Sequence, residues 1–113
     1  MAPRIRTHPA EGTWVVRADG AIIAESRNAL ELEEGDLPPV IYFPRGDVAM
    51  AFLERTESRT TCPWKGDAGY FAVHTSAGVI MDAAWSYESP VDGAEAIAGH
   101  LAFYSDRVTL ERV

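Results

Sequence analysis

The sequence predicts a mainly-β protein: a small folded-sheet or barrel-like domain with one or two short helices. Three observations carry that expectation. Short runs rich in β-branched and aromatic residues recur along the chain, turn-forming residues stand between them, and helical stretches are too sparse to alternate with strands in a doubly wound sheet. The 113 residues suit one ordinary domain, so 1–113 is read as a single unit with 1–10 as an extended lead-in. A chain of this length buries roughly two-thirds of its unfolded surface, enough for one hydrophobic core.

The elements follow in order. Pro3 and Pro9 oppose helix in the lead-in. Thr13–Arg17 and Ala21–Glu25 are strand-like runs flanking Asp19-Gly20, a pair suited to a type I′ turn because both central residues need positive φ. Leu30 and Leu32 alternate with Glu31 and Glu33, as in a short strand with one wet face. Val40–Phe43 reads as a strand that Pro44 ends. Asp47 is placed to cap a helix of about two turns over Val48–Arg55, whose apolar face is Val48, Ala51 and Phe52. Ser58–Cys62 is expected to be extended, and Pro63–Asp67 to be a loop. Tyr70–His74 and Val79–Trp85 form a second hairpin around Ser76-Ala77-Gly78. Asp92 caps a short helix over Ala94–His100, and Leu101–Tyr104 and Val108–Glu111 close the chain as strands around Ser105-Asp106-Arg107.

The net charge of −7 argues against DNA, RNA or an anionic membrane as the main partner, because those affinities come from phosphate neutralisation. It leaves room for a small anion held by a few basic groups in one pocket. No apolar run is long enough to span a bilayer, and no apolar stretch follows the basic N-terminus as in a secretory signal. A single cysteine, Cys62, cannot form an internal disulfide. A soluble, cytoplasmic protein is therefore expected, either monomer or homodimer.

Nine of the ten basic residues are arginine, and the one lysine, Lys65, lies three residues from Cys62. Unlike arginine, a lysine can lose its proton in a pocket. A cation beside a thiol favours the thiolate. Cys62 and Lys65 are thus the candidate catalytic pair, against the ordinary alternative of a buried thiol and an exposed lysine. Tyr42, Trp64, Tyr70, Trp85 and Tyr87 are candidate walls of a ligand pocket, although aromatics at strand spacing usually belong to a core. Arg45 can hold an anion with its planar fork or make a surface salt bridge. His74 can serve as a general base, and shares a strand face with Tyr70 and Ala72. No metal is expected, since His8, His74, His100 and Cys62 lack ligand spacing and the acidic run Glu31–Asp36 reads as a solvated face. No cofactor is expected either, because Walker, dinucleotide and nucleophile-elbow motifs are absent from the sequence.

Four segments together carry a resemblance: Val40-Ile41-Tyr42-Phe43-Pro44 with Asp47-Val48; Thr61-Cys62-Pro63-Trp64-Lys65-Gly66 with Tyr70; Ala84-Trp85-Ser86-Tyr87 with Pro90; and Leu101-Ala102-Phe103-Tyr104. With the opening hairpin, they resemble the domain-of-unknown-function family numbered 427, over about Trp14 to Val113. The resemblance implies an architecture similar to the folded-sheet β-tent domains. Some of those bind structural zinc through paired cysteines; no Cys-x-x-Cys occurs here, so zinc is not carried over. The family's nucleotidyltransferase label implies a Gly-Ser turn and an Asp-x-Asp carboxylate pair for two metal ions, and the sequence contains neither.

Two functions fit these residues. One is binding, with or without chemical modification, of a small polar or anionic metabolite in an aromatic pocket around Cys62, Lys65, Arg45 and Tyr70. The other is a non-catalytic protein-interaction module that presents a sheet edge or apolar patch.

Overall fold

Charge pairing makes a strand of the lead-in. In the computed structural model, which describes residues 4–113, β1 (Ile5–Pro9) runs antiparallel to β4 (Leu30–Glu34). Arg6 faces Glu33 and His8 faces Glu31 in the register, so opposite charges stand across the ladder. The lead-in expected to be extended over 1–10 is so at Ile5–Pro9, and it also pairs into a sheet; Met1–Pro3 lie outside the described residues. On the other edge of β4 lies β5 (Val40–Tyr42), giving the order β1-β4-β5.

The Asp19-Gly20 turn forms as expected, with φ of 48° and 81°. It joins β2 (Trp14–Ala18) to β3 (Ala21–Ser26), and β10 (Thr109–Arg112) adds to the far edge of β2. The third sheet has the order β6-β7-β8-β9, from β6 (Leu53–Cys62), β7 (Gly66–Thr75), β8 (Gly78–Ser86) and β9 (Ala102–Phe103). The β7–β8 hairpin turns at Ser76-Ala77, between the paired Thr75 and Gly78. The expected closing strands form, but they pair with β8 and β2 rather than with each other.

Strand takes 56% of the described residues and helix 8%, so the mainly-β expectation holds. The three sheets are antiparallel and do not close into a barrel. Single bridges tie them together: Ala24 with Val48, and Phe43 with Leu101. The radius of gyration is 13.6 Å, against roughly 13 Å for a compact chain of this length.

Both expected helices shrink to 3₁₀ turns of three residues each. Arg45–Asp47 and Met50–Phe52 replace the helix over Val48–Arg55, and Leu53 already begins β6. A two-turn helix is marginal by itself, and here neighbours claim its groups. The Asp47 carboxylate accepts from Ser26 Oγ at 2.5 Å instead of capping, and Ala49 N donates to Ile23 O at 2.8 Å. Near the C-terminus, Glu95–Ile97 is the only helical turn within 94–100. Gly99, at φ 72°, ends it, and Glu95 rather than Asp92 accepts from Gly93 N.

Two apolar clusters fill the interior. The larger contains Val16, Ile23, Phe43, Phe71, Val73, Leu101 and Phe103; the smaller contains Leu32, Tyr42, Ala68, Tyr87, Ile97 and Ala102. Both edges of β7 carry irregularities that shape its two faces. The two-residue step from Phe71 to Val73 faces the four-residue step from Ile80 to Ala84 on β8. The step from Gly69 to Phe71 faces the four residues from Arg55 to Arg59 on β6. Such bulges re-aim side chains. At the β8 bulge, Asp82 takes φ 50°, held by Thr56 Oγ1 and Ser58 Oγ, each donating to its carboxylate at 2.6 Å.

Candidate functional site

The Cys62–Lys65 loop is the tight connection between β6 and β7, closed by Lys65 N donating to Cys62 O. Gly66, at φ 115°, lets this turn pack against the backbone of Pro90 and Val91. Lys65 folds inward, and its Nζ lies 2.5 Å from Glu34 Oε1, with only 13% and 11% of the two side chains exposed. The amine also stands 5.7 Å from the Tyr87 ring. Arg4 Nε lies 3.8 Å from the second Glu34 oxygen, and its guanidinium sits over the half-exposed Trp64 ring. Cys62 is partly buried against the smaller apolar cluster.

Arg45 has other partners. Its Nε donates to Gly99 O at 3.0 Å, its Nη1 lies 3.3 Å from Glu88, and its guanidinium faces the Phe71 ring at 5.8 Å. Lys65 and Arg45 are therefore held by two different carboxylates. His74 pairs with Glu54 on the exposed surface.

The aromatic candidates divide. Tyr42 and Trp85 meet edge to face at 6.3 Å, and Trp85 Nε1 donates to Tyr42 Oη at 3.3 Å. Tyr70 is the register partner of Trp85 and so shares its sheet face. Tyr87 is buried beside Lys65, and Trp64 stands apart near Arg4. Burial pushes the Tyr42 hydroxyl up to about 12 and the Tyr87 hydroxyl higher still, so both keep their protons at physiological pH.

Around Trp85 the surface is concave. A cavity of about 440 Å³ is walled by Trp14, Trp85, Tyr104, Val40, Ile41 and Leu110. The Trp85 and Tyr104 rings meet at a tilt of 43°, with centroids 4.5 Å apart. A second cavity of about 520 Å³ is lined by Ser58, Arg59, Tyr70, Asp82 and Arg107. Tyr104 and Asp106 line both. In the polar cavity, Tyr70 Oη and Thr60 Oγ1 lie 2.9 Å apart. Burial first, and then the hydrogen bond with Tyr70, raise Tyr104 to about 12. The Ser58 and Thr56 hydroxyls hold Asp82 below the usual carboxylate range, so it is an anion at neutral pH.

The profile of a family described as Domain of unknown function (DUF427) matches residues 6–113. The chain belongs to the DUF427 family. No curated protein matches it. In this DUF427 protein, the sequence pattern did not single out Trp14, Tyr104, Arg59 or Arg107, which line the two cavities, and it offered Asp82 only as a possible cation ligand. Trp14 lies on β2, and only the pairing of β10 with β2 and the return of β9 beside β8 bring it near Trp85. Tyr104, two residues beyond Ala102 in the already noted Leu101–Tyr104 run, was the one legible signal. One further cluster is present: His8, Glu31 and Glu33 bring ligand-type atoms within 4.8 Å of one another. It is an exposed ion-paired group, with Arg6 also on Glu33.

Proposed function

We propose that this DUF427 protein binds a small metabolite with a flat apolar part and a polar or anionic part. The flat part lies against Trp14, Trp85 and Tyr104, and the polar part reaches Tyr70, Arg59 and Arg107. The observation that carries this reading is the shared lining: an aromatic cavity and a polar one meet at Tyr104 and Asp106. Their volumes, about 440 and 520 Å³, fall within the range of small-molecule sites. Aromatic walls supply area with little rotamer entropy, and a few placed polar groups fix orientation.

In this reading Lys65 and Arg45 support the walls, since their charges already have carboxylate partners. Cys62 packs beneath, against the cluster that also holds Tyr42, Tyr70 and Trp85. The reading is one of recognition; no step of bond making is assigned.

The test is a thermal-shift and tryptophan-fluorescence screen with small aromatic carboxylates, phenols and aromatic phosphate esters. At least one class is expected to raise Tm and quench fluorescence, and Trp85→Ala, with its fold verified by circular dichroism, is expected to weaken binding tenfold or more. Binding that survives unchanged in both Trp85→Ala and Trp14→Ala would contradict the reading.

A further inference from the structure

A third cavity, of about 220 Å³, lies on the opposite face of β7 from Tyr70, lined by Arg55, Arg59, Asp67, Gly69, Glu88 and Ser89. Register explains how it forms. Arg55 faces Phe71 and Arg59 faces Gly69, so the bulge between them returns both arginines to the same face. Gly69 leaves the space that their guanidiniums enter. A methyl group at that position would stand 2.7 Å from Arg55 Nη1 and 3.0 Å from Arg59 Nη1. Two cations thus converge on one point over bare backbone.

Their compensation is incomplete. Glu88 pairs with both Arg55 and Arg45, and the Arg55 hydrogen bond is the main cause of its lowered pKa. Among the described residues Arg59 forms no salt bridge, and its contact to its neighbour's Ser58 O is long, at 3.4 Å. Two buried polar atoms nearby lack partners. One is Arg45 Nη2, on the guanidinium that shares Glu88; the other is the hydroxyl of Ser86, the register partner of Gly69 on β8. Asp67, the other carboxylate on the lining, accepts from Thr61 Oγ1 at 2.8 Å.

We infer that Arg55 and Arg59, converging over Gly69, form a binding site for a tetrahedral oxyanion of the phosphoryl class, and that the Glu88 carboxylate holds the site in the absence of that anion. Planar guanidiniums match phosphoryl oxygens two at a time, which a lone ammonium cannot do. Glu88 is about two-fifths exposed and can turn toward Arg45 alone when an anion takes its place on Arg55. The site shares Arg59 with the polar end of the proposed cleft, whereas Arg55, Gly69 and Glu88 belong to it alone. Arg59 lines both the polar cavity and this one, so a phosphate ester can reach it from the cleft as well as free phosphate from solvent.

The experiment is an NMR titration of the full chain with inorganic phosphate and, separately, with phenyl phosphate, at constant ionic strength. Phosphate is expected to shift the Gly69, Arg55 and Arg59 amides. Arg59→Gln is expected to weaken it about tenfold or more, as for loss of a charge-assisted bond. Glu88→Gln is expected to tighten it severalfold, because the internal competitor is gone. Gly69→Ala is expected to weaken binding while the chain stays folded, since only the mobile arginine tips need to give way. Phenyl phosphate that also shifts the Trp85 indole identifies an ester as the natural source, whereas shifts confined to β6 and β7 identify the free oxyanion; both support the site. Phosphate that leaves the Gly69 region unmoved, or affinity indifferent to both Arg59→Gln and Glu88→Gln, overturns it.

Discussion

The turn at Lys65 and the bulge at Arg55–Arg59 both place cations against aromatic or bare backbone surface, yet they differ in what is left over. At Lys65, Glu34 closes the account: amine and carboxylate are 2.5 Å apart and largely hidden from water. At the bulge, Arg55 and Arg45 share one half-exposed carboxylate, and Arg59 has none among the described residues. The lone lysine in an unusual loop is the more conspicuous feature of the sequence, but the arginines have the spare capacity. A charge with a buried partner holds the fold together, and a charge without one is available to a ligand.

The sharpest break of this comparison is Lys65→Met. It strands Glu34 with only Arg4 nearby, at 3.8 Å, and is expected to cost about 3 kcal/mol, near the lower end for breaking a buried pair. Pairing it with Glu34→Gln should recover much of that loss in urea denaturation. Equal stability of wild type and Lys65→Met would mean that the pair contributes nothing. Arg59→Gln should stay within about 0.5 kcal/mol of wild type, as for a surface change that breaks no network.

Acid titration separates the regions next. Glu88 is held below its usual value, first by the Arg55 hydrogen bond. Its contribution to stability is therefore present above the ordinary carboxylate pKa of 4.5 and is lost as pH falls through the lower folded value. Arg55→Gln should flatten that part of the stability profile, and an unchanged acid limb would contradict the pairing.

The smallest effect is expected at the β1–β4 edge. The Glu33 hydrogen bond, followed by that to the Pro9 carbonyl, raises His8 above 6.5. Its stabilisation is complete below 6.5 and is lost as pH rises through the higher folded value. An NMR titration should find His8 above 6.5 and bring it down in Glu33→Gln. A His8 midpoint indifferent to that change would dissolve the pair.

The strands were legible because their signals are local. Asp19-Gly20 can scarcely be anything but a tight turn between two β-branched runs, and Leu30-Glu31-Leu32-Glu33 states its own two faces. The helices misled because Asp47 and Val48 do serve as anchors, but to β3 across the fold rather than to the next turn of a helix. Tyr70, Trp85 and Tyr42 were found as aromatics at strand spacing, and register places Tyr70 beside Trp85. The bulges opposite β7 have no such signature: Met81-Asp82-Ala83 reads as ordinary strand, and Thr56-Glu57 falls between the expected helix and the extended Ser58–Cys62, until pairing shows the extra residues. Trp14 and Tyr104 join the cleft through contacts nearly the length of the chain apart, which no local pattern encodes.

The three tryptophans give the most direct test, because they sample the two readings separately. Trp14 and Trp85 line the proposed cleft, and Trp64 belongs to the Cys62–Lys65 loop. Their indole N–H signals, assigned by single substitution, can be followed while an aromatic phosphate or carboxylate found by screening is titrated into the full chain. Shifts at Trp14 and Trp85 with Trp64 unmoved are the predicted result. Shifts at Trp64 alone would place the ligand at the lysine loop and contradict the cleft.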